Sequence, residues 1–92
     1  MLWSGEMYIV SVYDVNETKC AKVMKIMRKY LFHVQNSVFE GELNPNKLNE
    51  LKKELSTVID SDDHIVFYYV YNNKQMYKDY LGRKENSLNI KI

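Results

Sequence analysis

Apolar positions along the chain fall into two periods. Met7 to Tyr13 reads Met-Tyr-Ile-Val-Ser-Val-Tyr, β-branched and aromatic almost throughout. This predicts a strand that ends at Asp14, where polar residues begin. Over 17–32 the period lengthens: Cys20, Val23, Met24, Met27 and Leu31 recur every three or four residues, predicting an amphipathic helix with one apolar stripe. The more polar stretch 34–42 predicts a second strand. Asn44-Pro45 then supplies a helix cap and a proline for the first helical position. Leu48, Leu51, Leu55 and Val58 stack on one face of that second helix, which stops near 60–63. Ile65 to Tyr71, Ile-Val-Phe-Tyr-Tyr-Val-Tyr, is the strongest strand signal in the chain. A turn at 72–74 and a shorter strand from Gln75 to Leu81 follow, ended by Gly82. Leu88, Ile90 and Ile92 alternate, which predicts a short terminal strand over 87–92. Residues 1–6 match no periodic pattern and read as an extension.

With two helix crossovers, this order predicts an α+β fold. It is the ferredoxin-like βαββαβ sandwich over 7–82, an antiparallel sheet with both helices on one face, plus a short C-terminal strand. Two helices cover only one face of a sheet, yet the strands over 7–13 and 65–71 are apolar on both. Several aromatic side chains would then stand on an open face, a larger apolar patch than soluble monomers usually carry. The expectation is a homodimer packed face to face, with the 83–92 tail adding to the partner's sheet edge.

Composition narrows the class. Of the 92 residues, 46% are hydrophobic and 27% charged, which excludes a disordered chain. The longest apolar stretch, 65–71, is far short of the ~20 residues a membrane-crossing helix needs. No basic segment followed by an apolar one opens the sequence, and the single cysteine cannot form an internal disulfide. The expectation is a cytoplasmic protein with no membrane partner. Formal net charge is only +1, but it is segregated. Residues 16–39 carry net +4 and 40–63 net −4, so one surface can be basic and another acidic.

Several chemistries are absent. There is no Gly-rich phosphate loop, no zinc-spaced Cys or His set, and no convincing nucleophile–base pair, with Cys20 on the apolar helix stripe. Asp14 is the exception, because an acid directly after a buried apolar run needs a partner or a task. It reads as a helix-start acid favoured by free N–H groups. In a dimer it reads instead as one of two facing carboxylates, the kind of donor magnesium takes while keeping several waters. Such an ion can activate water against a phosphodiester. Lys22, Lys25 and Lys29 lie at i, i+3 and i+7, with Lys19 and Arg28 flanking. That is either a solvated face or a stripe that tracks phosphates. His33 reads as a structural residue or a phosphate and proton-transfer group, Ser37 as a possible phosphate donor, and Phe39 as core or interface. The acidic block Glu50, Glu54, Asp60, Asp62 and Asp63 reads as solvated, with protein docking as the alternative.

Tyr13-Asp14-Val15, a basic helix, and then Val34-Gln35-Asn36-Ser37-Val38-Phe39-Glu40-Gly41-Glu42-Leu43 closely resemble the Cas-two family. These are the small CRISPR-associated proteins of spacer acquisition. The resemblance covers roughly 7–82. It implies a ferredoxin-like homodimer in which paired Asp14 carboxylates bind magnesium, with metal-dependent endonuclease activity on RNA or double-stranded DNA. Tyr13, Ser37 and Phe39 match family positions near that site. The resemblance also implies assembly with the Cas-one integrase, in which the dimer holds duplex DNA through the helix bases Lys19, Lys22, Lys25 and Lys29. A non-catalytic adaptor bridging integrase dimers is the alternative it leaves open. Some members carry arginine where this chain has His33, and more arginines where it has Lys19, Cys20 and Lys22. Lysine contacts phosphate as a point charge, without the bidentate fork.

Overall fold

A computed structural model describes residues 7–71 and 75–83. The turn expected at 72–74, the extension 1–6 and the terminal strand over 87–92 lie outside the described residues. In chain order the elements are β1 (Met7–Asp14), α1 (Cys20–Arg28), β2 (Phe32–Gln35), β3 (Val38–Leu43), α2 (Pro45–Ser56), β4 (His64–Val70) and β5 (Met76–Gly82). The five strands form one sheet in the order β2-β3-β1-β4-β5, every neighbouring pair antiparallel. This is the expected α+β, ferredoxin-like arrangement with β1 at the centre.

Two expected elements come out differently. The single strand over 34–42 is a hairpin, β2 and β3, joined at Asn36-Ser37. Asn36 has φ 45, a left-handed conformation that asparagine tolerates better than most residues. The helix over 17–32 is shortened at both ends. The Asn16 side chain accepts from Thr18 N at 2.9 Å, and Glu17–Lys19 tightens into a 3-10 turn. At the other end Tyr30 N and Leu31 N both donate to Met27 O. Leu31 then turns into the core and Phe32 begins β2. The second helix follows its capping signal: the Asn44 side chain accepts from Lys47 N at 2.8 Å, with Pro45 in the first turn.

β1 sorts its side chains by alternation. Met7, Ile9, Ser11 and Tyr13 are buried, and the intervening Tyr8, Val10, Val12 and Asp14 point to the opposite face. The buried set packs with Val23 and Met27 of α1, Leu48, Leu51 and Leu55 of α2, and Phe39, Ile65 and Phe67 of the flanking strands. On the other face, register places Val12 beside Val38 and Val66, and Val10 beside Glu40 and Tyr68. Tyr8, 43% exposed, pairs with Val70 and Glu42 there. Among the described residues no helix is long and apolar enough to cross a membrane.

Gly82 closes β5 with φ +79, and a Cβ there would overlap the carbonyl oxygen of Asp63. Backbone atoms cannot step aside as a side-chain tip would. Gly82→Ala is therefore expected to cost at least about 2 kcal/mol, from left-handed strain plus the clash. Thermal melting at fixed protein concentration checks it, and a wild-type midpoint would contradict the assignment.

Candidate functional site

Asp14 is the last residue of the central strand, on the face away from the helices. Its side chain is 81% exposed. In register it stands opposite His64, the first residue of β4, and His64 in turn opposes Gly82, the last residue of β5. Three strand ends therefore meet, and the chain leaving β5 passes directly by Asp14. Arg83 is the first residue on that path. Its Nη2 lies 3.8 Å from Asp14 Oδ2.

A buried carboxylate holds this corner together. Asp63 was expected to be solvated with the rest of the acidic block, but it is 1% exposed. Its Oδ1 accepts from Asn16 N at 2.9 Å, and its Oδ2 accepts from Asp60 N at 3.0 Å and Lys19 Nζ at 2.5 Å. Its own carbonyl accepts from Arg83 N at 2.6 Å. One residue thus ties the loop after β1, the loop before β4 and the exit from β5. Burial alone would raise the Asp63 carboxyl. The Lys19 ammonium and the two backbone N–H groups outweigh it and hold the group down at about 2. Hydrogen bonds from Lys19 to the Asp60 carboxylate first, and then to Asp63, raise the lysine above its ordinary value.

The structure gathers some of the residues singled out in the sequence and separates others. Tyr13 N donates to Ser37 O at 3.1 Å, which sets the half-buried Ser37 beside the end of β1. The Tyr13 and Phe39 rings lie 6.3 Å apart and tilted. Both residues are buried on the helix side of the sheet, and burial pushes the Tyr13 hydroxyl up. His33 stacks on Phe39 at 4.7 Å, and its Nε2 donates to Asn36 O at 2.7 Å. Tyr13, His33, Ser37 and Phe39 thus form one cluster at Asp14's end of the sheet, with Asp14 itself on the other face. The lysines divide as well. Lys22 and Lys25 are exposed on α1. Lys29 is ion-paired with Glu54, which Tyr30 also contacts, and Lys19 is turned to Asp60 and Asp63. Composition and spacing pointed neither to Asp63 nor to Arg83. The one available signal was Gly82, whose positive φ brings the residues around it into contact with Asp63.

The Asp14 carboxylate offers hard oxygen donors of the kind magnesium takes, one or two at a time. Among the described residues no group of three or more His, Cys, Asp or Glu side chains could hold a metal ion.

Fold and site together define a small ferredoxin-like protein with an exposed carboxylate at the end of its central strand and an arginine beside it. The family described as CRISPR associated protein Cas2 matches residues 7–78. The chain is 51% identical over 71 residues to a Thermotoga maritima protein named CRISPR-associated endoribonuclease Cas2, covering 77% of this chain and 82% of the relative. It is 40% identical over 81 residues to a protein of the same name from Dictyoglomus turgidum, covering 87% and 93%. A crystal structure of a Cas2 protein superposes with a TM-score of 0.70 at 40% identity, covering 78% of this chain and 84% of that one. The chain belongs to the Cas2 family of CRISPR-associated proteins.

Proposed function

We propose that this chain is a magnesium-dependent endoribonuclease that works as a homodimer, with Asp14 from each copy at a shared site. The observation that carries this reading is the exposed Asp14 carboxylate at the end of the central strand. It lies on a sheet face whose other positions include Val10, Val12, Val38, Val66, Tyr68 and Val70. Stacking two copies by that face buries the apolar strip and leaves room for two carboxylates to approach. Relatives named endoribonucleases support the choice of RNA. The ion would supply a Lewis acid for the phosphodiester and an activated water. Asp14 supplies negative oxygen donors, β1 fixes where they stand, and the Asp63 network holds the adjoining loops in place.

We also propose that the dimer serves in spacer acquisition, with a Cas-one integrase as partner, and carries duplex DNA on α1. The exposed Lys22, Lys25 and Arg28 on one helix favour such phosphate contacts, which supply affinity without reading sequence. The tail over 83–92 would add to the partner copy's sheet.

Cleavage of labelled RNA and duplex DNA, in magnesium and in EDTA, tests the nuclease reading. Magnesium-dependent cutting of RNA is the expected result. Binding of duplex with no cutting of either substrate would favour the adaptor instead. Light scattering tests the dimer: a species of twice the 11.0 kDa chain mass is expected at micromolar concentration. A stable monomer would remove the two-carboxylate site.

A further inference from the structure

Among the described residues, an arginine that no spacing in the sequence pointed to forms an ion pair with Asp14. Arg83 is anchored on several sides. Its N donates to Asp63 O at 2.6 Å, and its carbonyl accepts from His64 Nδ1 at 2.6 Å. Its Nη1 donates to Asp62 O at 3.1 Å. These contacts aim the guanidinium along the edge of the site, with Nη2 3.8 Å from Asp14 Oδ2. That separation is an ion-pair distance, longer than a closed hydrogen bond. A guanidinium carries five N–H donors in a rigid fork, and the Arg83 side chain is 54% exposed. It therefore keeps donors facing solvent beside the carboxylate.

Charge explains why such a group is needed. A phosphodiester approaching one carboxylate, or two in a dimer, is repelled before any bond changes. The candidate lysine closest in sequence, Lys19, is held by Asp60 and Asp63, and Lys29 is held by Glu54. We propose that Arg83 is the phosphate-binding residue of the Asp14 site, its fork receiving the non-bridging oxygens of the RNA phosphate presented to Asp14. The inference rests on the reading of Asp14 given above. The fork matches the planar pair of phosphate oxygens, and the anchored backbone means that little freedom is lost on binding. A purely local role, as ion-pair partner of an exposed acid, would contribute little to stability and nothing to RNA affinity.

The test uses the full-length protein and the variants Arg83→Gln, Arg83→Lys and Asp14→Asn. RNA affinity is read by fluorescence anisotropy in EDTA over a range of salt, and cleavage is read as a function of RNA and of magnesium. Arg83→Gln is expected to weaken RNA binding and raise KM about tenfold. It should also reduce the salt slope by roughly 0.7, the value for one lost phosphate contact on a single strand. The magnesium concentration for half-maximal cleavage should stay within about twofold. Arg83→Lys should keep the salt slope and recover only part of the KM, as expected when the charge remains and the fork is lost. Wild-type affinity and slope in Arg83→Gln would overturn the proposal. So would a change confined to the magnesium requirement, which would make Arg83 a partner of Asp14 alone. Undiminished cutting by Asp14→Asn would overturn the underlying reading of Asp14. The salt slope in EDTA, which involves no cleavage, would still decide the Arg83 contact.

Discussion

Asp14→Asn is expected to abolish magnesium-dependent RNA cleavage while leaving the fold and the dimer intact. The side chain is largely exposed, and its ion pair with Arg83 is at the surface at 3.8 Å. Exposed pairs of that kind contribute about 0–1 kcal/mol, so the melting midpoint should barely move. Activity should respond very differently. Asparagine keeps the shape but presents a neutral amide, a far weaker donor for a hard divalent ion. A bound metal supplies several kcal/mol of transition-state stabilisation, and each 1.36 kcal/mol is a factor of ten, so the loss should be on the order of 100-fold or more. In the proposed dimer, removing two facing negative charges should also leave the two copies at least as tightly paired as before. Initial rates at saturating magnesium, beside a melting curve and light scattering, check all three points. Cutting that persists in the variant would place the chemistry elsewhere.

Asp63→Ala should have the largest effect on stability. Truncation leaves two part-buried backbone N–H groups, on Asn16 and Asp60, without their acceptor, and strips Lys19 of its closest carboxylate. Losing a carboxylate that accepts three hydrogen bonds at a part-buried corner should cost about 2 kcal/mol or more, equivalent to roughly 8–16 °C in melting midpoint for a domain of this size. The pH dependence follows from the direction of the shift. The folded carboxyl titrates at about 2, below its ordinary 3.8, so the folded state binds its proton less readily than the unfolded chain. The stabilisation is therefore fully present above pH ~4 and is lost as pH falls toward 2. Denaturant midpoints of wild type should drop through that window. In Asp63→Ala that part of the acid dependence should be missing. A wild-type acid profile in the variant would show that Asp63 is not the group responsible.

The sequence made the frame of this molecule readable because the frame rests on burial. Met7, Ile9 and Tyr13 alternate with Tyr8, Val10 and Val12, and that period of two reports a sheet with two distinct faces. Asn44-Pro45 marks a helix start because its geometry is local. The β2–β3 hairpin was concealed. Asn36 carries its turn in a left-handed conformation without a glycine to announce it, and the polar run Gln35-Asn36-Ser37 reads as well as part of a half-exposed strand. Asp14 stood out because a carboxylate after an apolar strand is conspicuous. Asp63 and Arg83 did not, since each resembles any surface charge until the fold brings Asn16, Lys19, Asp60 and Gly82 around them. Partnerships between residues dozens of positions apart leave no periodic trace. The same blindness applied to Lys19, which matched a phosphate-tracking stripe by spacing but is turned inward to two acids.

The hydrogen bond from Arg83 N to Asp63 O also has a consequence for synthesis. Asp14 leaves the ribosome early, yet the corner around it closes only once β5 has been made and paired with β4. Contacts of such sequence separation form late, after the loop entropy between them has been overcome. Until β5 pairs with β4, Asp14 stands without the arginine that the finished sheet sets beside it.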